Sequence, residues 1–213
     1  MKIVIPNSLN EITLGQYQEF YKLTESKDAK LVERRMIEIF CKVPMQYVNQ
    51  MKAIDVKEII QILTQMLENK PSLVNLFKMN GVEYGFIPDL DDMTFGEYVD
   101  LDTFIGDTEN LHRAMNVLYR PIKIKKNGRY QIVDYDSEKY KDMLGMPMDA
   151  VISSILFFYH LGIDLSQIMM DCSKNKNEKH LMQYLISEEN GVGISHSFTS
   201  LKTILEDLRI SLN

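Results

Sequence analysis

Apolar residues recur along this chain with two periods, and prolines and Asn-Gly pairs divide the segments they mark. In LVERRMIEIFCKVP (31–44) and NLHRAMNVLYRP (110–121) the apolar positions follow helical spacing, each run carries Arg in its first half, and each stops at a proline, Pro44 or Pro121. In DVKEIIQILTQMLEN (55–69), Ile59, Ile62, Leu63 and Met66 fall on one helix face. DAVISSILFFYHLGIDL (149–165) is apolar nearly all round, which predicts a buried helix. A period of two appears in FKMNGVEYGFI (77–87) and IKIKKNGRYQIVDY (122–135), each centred on Asn-Gly, the strongest short-range hairpin signal. Lys2–Ile5 reads as a short N-terminal strand that could pair with one hairpin. Beyond these, the pattern predicts a helix near Lys179–Ser187, a Gly191–Gly193 link and a last helix near Phe198–Leu212.

One element is written twice. KIVIPNSLNEITLGQYQEF (2–20) and YGFIPDLDDMTFGEYVDL (84–101) share an Ile-Pro, a polar acidic stretch and then T-[LF]-G-[QE]-Y. Thr13 with Gln16, and Thr94 with Glu97, have capping-box spacing, in which the threonine takes a first-turn amide and the Gln or Glu reaches back to the cap. Ile12 with Tyr17, and Met93 with Tyr98, stand where a hydrophobic staple belongs. Ser26 and Asp107 follow at matching offsets as N-caps of a second helix, and Asp55 and Asp149 open a third. The expected fold is mainly α (α+β): pseudo-duplicated three-helix units with two Asn-Gly β-hairpins and a C-terminal helical extension. Its boundaries are 1–80 for the first unit, 81–165 for the second with a hairpin insertion at 122–148, and 166–213 for the extension.

Composition changes this picture in a few places. With 213 residues, 45% of them hydrophobic, the chain can bury a substantial core. Neither a signal peptide nor an apolar run of membrane-spanning length is read, so no membrane partner is expected. Cys41 and Cys172 lack a partner motif and read as reduced, half-buried thiols of a cytoplasmic product. The 14 methionines, beside no tryptophan, read mostly as core fillers that could also serve adaptable interfaces.

Charge is segregated within a net −6. Residues 82–112 hold Glu83, Asp89, Asp91, Asp92, Glu97, Asp100, Asp102, Asp107 and Glu109 without a Lys or Arg. Residues 113–133 hold Arg113, Arg120, Lys123, Lys125, Lys126 and Arg129 without an acid. The two stretches either face each other within one subunit, are simply solvated, or form complementary faces between neighbouring subunits, and head-to-tail contacts of that last kind close into rings. The candidate protein interface is therefore Asp89, Asp91 and Asp92 on one side and Lys123, Lys125, Lys126, Arg129 and Tyr130 on the other.

No catalytic motif emerges, and neither a cofactor nor a metal is expected. Asp89-Leu90-Asp91 after an apolar strand has the start of a haloacid-dehalogenase motif, but Met93 stands where that chemistry needs threonine. Calcium binding at Asp89, Asp91 and Asp92 lacks the glycine and terminal Glu of an EF-hand loop. His112, His160, His180 and His196 show no metal-ligand spacing, and His160, on an apolar helix, reads as a satisfied core histidine. Lys123 and Lys125 should share one strand face, where with Arg129 and Tyr130 they could track phosphates and stack a base. The chain's acidity instead favours a lysine-guarded hairpin edge over nucleic acid. Lys174–Lys179 (KNKNEK) reads as a solvated connector.

FIPDLDDMTFGEYVDLDTF, then NLHRAMNVLYRPI, the basic hairpin and Tyr135, covering about residues 77–135, resemble small proteins encoded among the structural genes of tailed bacteriophages. The likeness is greatest to crAss-like phages and other phages of Bacteroidetes hosts, and the Lys-, Asn- and Ile-rich usage agrees. The resemblance implies a non-enzymatic structural component of the virion, assembled in the host cytoplasm: a head–tail connector or ring, or a tail protein. Its alternatives are a tail-assembly chaperone left out of the virion, or packaged cargo. The implied partners are other phage structural proteins and further copies of the chain.

Overall fold

Helix α1 (Leu14–Tyr21) starts at a complete capping box: Thr13 accepts from the Gln16 amide while the Gln16 side chain takes the Thr13 amide. Helix α5 (Phe95–Phe104) starts in the same way from Thr94 and Glu97. Between them come α2 (Ala29–Phe40), the single turn α3 (Met45–Val48) behind Pro44, α4 (Ala53–Leu67) and strands β1 (Leu76–Met79) and β2 (Val82–Phe86). After α5 follow α6 (Leu111–Leu118), β3 (Tyr119–Lys126), β4 (Arg129–Ile132), a 3-10 segment (Ser137–Gly145) and α7 (Met148–Lys174). The structure, a computed structural model, describes residues 3–24, 26–174 and 205. The helices expected near Lys179–Ser187 and Phe198–Leu212, the link Gly191–Gly193 and most of the expected extension lie outside the described residues.

The chain is a mixed helix-and-sheet protein, with one antiparallel sheet ordered β1-β2-β3-β4. Asn80-Gly81 turns β1 into β2 and Asn127-Gly128 turns β3 into β4, and all four residues have positive φ, as a tight two-residue turn requires. Helix α6 runs directly into β3, because Pro121 biases Arg120 out of the helical region. One sheet face carries Phe77, Tyr84, Phe86 and Tyr119, which pack edge and face on one another and on Phe157 of α7. The buried Tyr119 hydroxyl donates to the Val74 carbonyl at 2.8 Å, and Ser153 of α7 accepts from the Val74 amide at 3.1 Å, fixing sheet to helix. Met143, Met146 and Met148 are fully buried where the 3-10 segment enters α7.

Several expectations are corrected. Residues 3–7 form no strand: Ile3 and Ile5 are partly buried by side-chain packing instead of pairing with a hairpin. Asp28, not Ser26, caps α2, and Ser26 accepts from the Asp28 amide one step earlier. Asp107 forms a turn that accepts from the Glu109 and Asn110 amides, so α6 begins only after Asn110. Helices α4 and α7 begin at Ala53 and Met148, which places Asp55 and Asp149 in their first turns. The expected boundary at 80/81 falls inside the first β-turn, and that at 165/166 falls inside α7. Buried residues from Leu9 to Tyr159 belong to one hydrophobic cluster.

Candidate protein-protein interface

The loop between β2 and α5 holds the acidic half of the expected interface. Asp89 accepts from the Asp91 amide at 3.0 Å, a local turn that leaves Asp91 and Asp92 exposed just before the α5 cap. The basic half sits on the β3–β4 hairpin. Lys126 and Arg129 oppose each other beside the turn, both exposed, and Lys123 is exposed lower on β3. The register shifts between Ile122 and Ile124, so Lys123 is a bulged residue and the alternation that would put it on one face with Lys125 is broken. Lys125 instead pairs at 2.9 Å with Glu83 of the acidic stretch. Tyr130 is a structural residue: its hydroxyl donates to the Phe86 carbonyl at 2.7 Å, and its ring lies so close over Gly85 that a Cβ there would stand 2.5 Å from it. Its ring therefore supports the sheet and is not free to stack a base. Asp89, Asp91 and Tyr130 do meet along one open groove, with Leu73 and Phe157.

A second contact between the acidic and basic stretches is buried. Arg120 of β3 and Glu97 of α5 pair at 2.7 Å, with side chains 10% and 4% exposed. The other Glu97 oxygen accepts from the Thr94 amide and hydroxyl, both at 2.7 Å. Tyr135 donates to Asp100 at 2.6 Å beside this pair; burial first, then that bond and the Asp100 charge, push its phenol well above the ordinary tyrosine range. Part of the charge segregation is thus resolved inside one subunit, and the candidate charges left exposed outside these pairs are Asp89, Asp91 and Asp92 on one side and Lys123, Lys126 and Arg129 on the other.

The capped helices present opposite faces. On α1, Leu14, Tyr17 and Gln18 are 0%, 4% and 5% exposed. The matching positions on α5, Phe95, Tyr98 and Val99, are 82%, 39% and 42% exposed. Those three stand at i, i+3 and i+4 and form one apolar face on the solvent side. Sequence reasoning missed this face. It treated Tyr98 as a staple partner and not as part of an i, i+3, i+4 set beginning at Phe95.

The remaining chemistry is muted. Burial pushes the Cys41 thiol up to about 11, which leaves it unreactive, and the side chain of Cys172 is outside the described residues. His160 is exposed and not a core histidine, because it lies on the outer side of α7 beside Lys70 and Asp164. The buried histidine is His112, whose Nδ1 accepts from the Gln18 amide group at 3.1 Å. His180 and His196 are outside the described residues. Among the described residues, no group of three or more His, Cys, Asp or Glu is placed to hold a metal ion, and no helix is long and apolar enough to cross a membrane. No family model matches this chain, nor does any curated protein or solved structure show significant similarity to it.

Proposed function

We propose that this chain is a non-enzymatic structural component of a tailed-phage particle, a head–tail connector or ring protein or a tail protein, that works by binding other virion proteins and further copies of itself. The observation that carries the proposal is the run from Phe86 to Phe104 with the basic hairpin behind it, which resembles small phage structural proteins. The exposed charges agree with it. Asp91 and Asp92 lie on one element, and Lys123, Lys126 and Arg129 lie on another, so head-to-tail copies would set opposite charges together. The two capped units are proposed to descend from a duplication, whose second copy acquired the β3–β4 hairpin.

Quantitative mass spectrometry of gradient-purified particles tests the proposal. A fixed ratio to the portal supports a stoichiometric ring or tail part. An irregular ratio would make the chain packaged cargo, and abundance in infected cells with absence from particles would make it a tail-assembly chaperone. Reversing Lys123, Lys126 and Arg129 to Glu, with Lys125 left on Glu83, should block assembly while the purified chain keeps its native thermal transition. Assembly that survives the reversal would reduce the hairpin to a guarded sheet edge.

A further inference from the structure

The cap of α1 is bridged by the chain itself. The Leu14 amide donates to the Met146 carbonyl at 2.8 Å, and the Met148 amide donates to the Ile12 carbonyl at 2.9 Å. Thr13 and Pro147 therefore face each other as an isolated antiparallel bridge. Met146 and Pro147, between the 3-10 segment and α7, run extended across the helix start. Gly15 lets the chain approach, since a Cβ at that position would lie 3.0 Å from the Leu144 carbonyl oxygen.

Helix α5 offers the same hardware with nothing across it. Phe95 and Met93 correspond to Leu14 and Ile12, and among the described residues neither the Phe95 amide nor the Met93 carbonyl has a hydrogen-bond partner. Gly96 corresponds to Gly15, and nothing lies within 4 Å of a Cβ built there. The apolar face of Phe95, Tyr98 and Val99 borders this open cap. Asp91 and Asp92 flank it on one side, in a stretch that holds no basic residue.

We infer that the open cap of α5 is a docking site for an extended segment of a partner protein, apolar at its centre and basic at the end that lies against Asp91 and Asp92. The segment adds to Met93–Phe95 as Met146–Met148 adds to Ile12–Leu14, through one donated and one accepted backbone bond. Its apolar side chains cover Phe95, Tyr98 and Val99, its basic end meets Asp91 and Asp92, and Gly96 admits its backbone. The partner is not a second folded copy supplying its own Leu144–Met148, because Met146 and Met148 are fully buried in place. This deepens the reading of the chain as an assembly protein and rests on it for the partner's place in a particle. The test below uses no particle, so failure of the docking site and failure of the virion assignment are separate results.

The test is NMR titration of the isotope-labelled full chain with a synthetic peptide, Leu-Gly-Met-Pro-Met flanked by two lysines at each end. The expected result is saturable shifts centred on the Phe95 and Gly96 amides. Phe95→Asp should weaken binding by about tenfold or more, as truncation of a central aromatic anchor does. Gly96→Leu should weaken it comparably while leaving the free chain folded, since that site is open and leucine favours helix. Shifts elsewhere, absent shifts, or full binding by the Gly96→Leu chain would overturn the docking site. Equal binding of a peptide with glutamates in place of the lysines would overturn the basic end. Self-association that disappears with Phe95→Asp would give the face to a second copy instead.

Discussion

Helix α1 turns Leu14, Tyr17 and Gln18 into the core, whereas α5, which starts from the same capping box, turns Phe95, Tyr98 and Val99 outward. The cap decides where each helix begins, because it satisfies the first amides whatever lies beyond. It does not decide which side of the helix is covered. That is settled by the third helical residue and by what it reaches. In α1 the Gln16 side chain donates to the Ile39 carbonyl of α2 at 2.6 Å, a neutral tether that leaves the 14/17/18 face to pack. In α5 the third residue is a carboxylate that the buried Arg120 requires as its partner, and meeting it turns Glu97 and Leu101 inward.

The largest way to break the comparison is therefore at this third residue. Glu97→Ala leaves the Arg120 guanidinium buried without its counter-charge and should cost about 3–5 kcal/mol in chemical denaturation. Gln16→Ala removes a cap and a neutral tether and should cost only about 1–2 kcal/mol. Replacing both Glu97 and Arg120 by apolar residues of similar volume should recover most of the loss. Equal losses for the two single variants would show that the ion pair does not orient α5.

The apolar faces come next. Leu14→Ala empties a fully buried site and should cost about 2–5 kcal/mol. Phe95→Ala removes a side chain that is mostly in water and should stay within about 0.5 kcal/mol of the parent. A large loss at Phe95 would mean that its face is covered in solution.

These contrasts also show what the sequence could and could not carry. The Asn-Gly turns, the two capping boxes and the burial of the first turns of α7, Ala150 to Leu156, are set by residues close in sequence, and local rules read them directly, whereas His160 and Ile163 further along α7 are exposed. Residues 2–5 had the composition of a strand, but Ile3 and Ile5 pack by their side chains against the hydrophobic cluster instead of joining the sheet. Asp28 displaced Ser26 as a cap by two residues, and α6 starts three residues after Asp107, behind Asn110, whose side chain makes no cap bond, because Asp107 spends its carboxylate on a turn before the helix. The candidate interface was read as two charged sets. The pair that removes Lys125 from it joins residues 42 positions apart in the chain, and the bulge at Lys123 has no local signature.

The glycines sharpen the comparison at smaller energies. Both sit at the second helical position, where alanine is ordinarily better by about 0.5–1 kcal/mol. At Gly96 that gain should be realised in full, because the site is open. At Gly15 the new methyl would meet the backbone of Leu144 at 3.0 Å and its Cβ at 3.3 Å, and backbone cannot step aside as a flexible side-chain end can. Gly15→Ala should therefore lose about 1–2 kcal/mol net. Thermal melts of the two variants should move in opposite directions, and movement in the same direction would mean that the Leu144–Met148 segment does not press on α1.

The smallest effect is a slope with pH, and it belongs to α1 alone. Gln18 Nε2 lies 2.8 and 2.9 Å from the Thr108 and Glu109 carbonyls and 3.1 Å from His112 Nδ1, sharing its two hydrogens among these three acceptors and locking α1 to the start of α6, while its counterpart Val99 makes no such seam. A ring nitrogen that accepts a hydrogen bond must be unprotonated. Burial first, then the Arg113 charge, lower the His112 pKa from its ordinary value; Asp107 opposes them and Lys22 adds to them. A group whose folded pKa is depressed contributes stability that is intact above its ordinary value, about 6.5, and lost as pH falls through the lower folded value. Stability should therefore decline on acidification from pH 7 before most carboxylates titrate. His112→Gln keeps an acceptor for Gln18 but cannot titrate, so urea midpoints measured across that window should fall less for it than for the parent. Parallel declines would place the acid sensitivity elsewhere and leave the α1 seam independent of protonation.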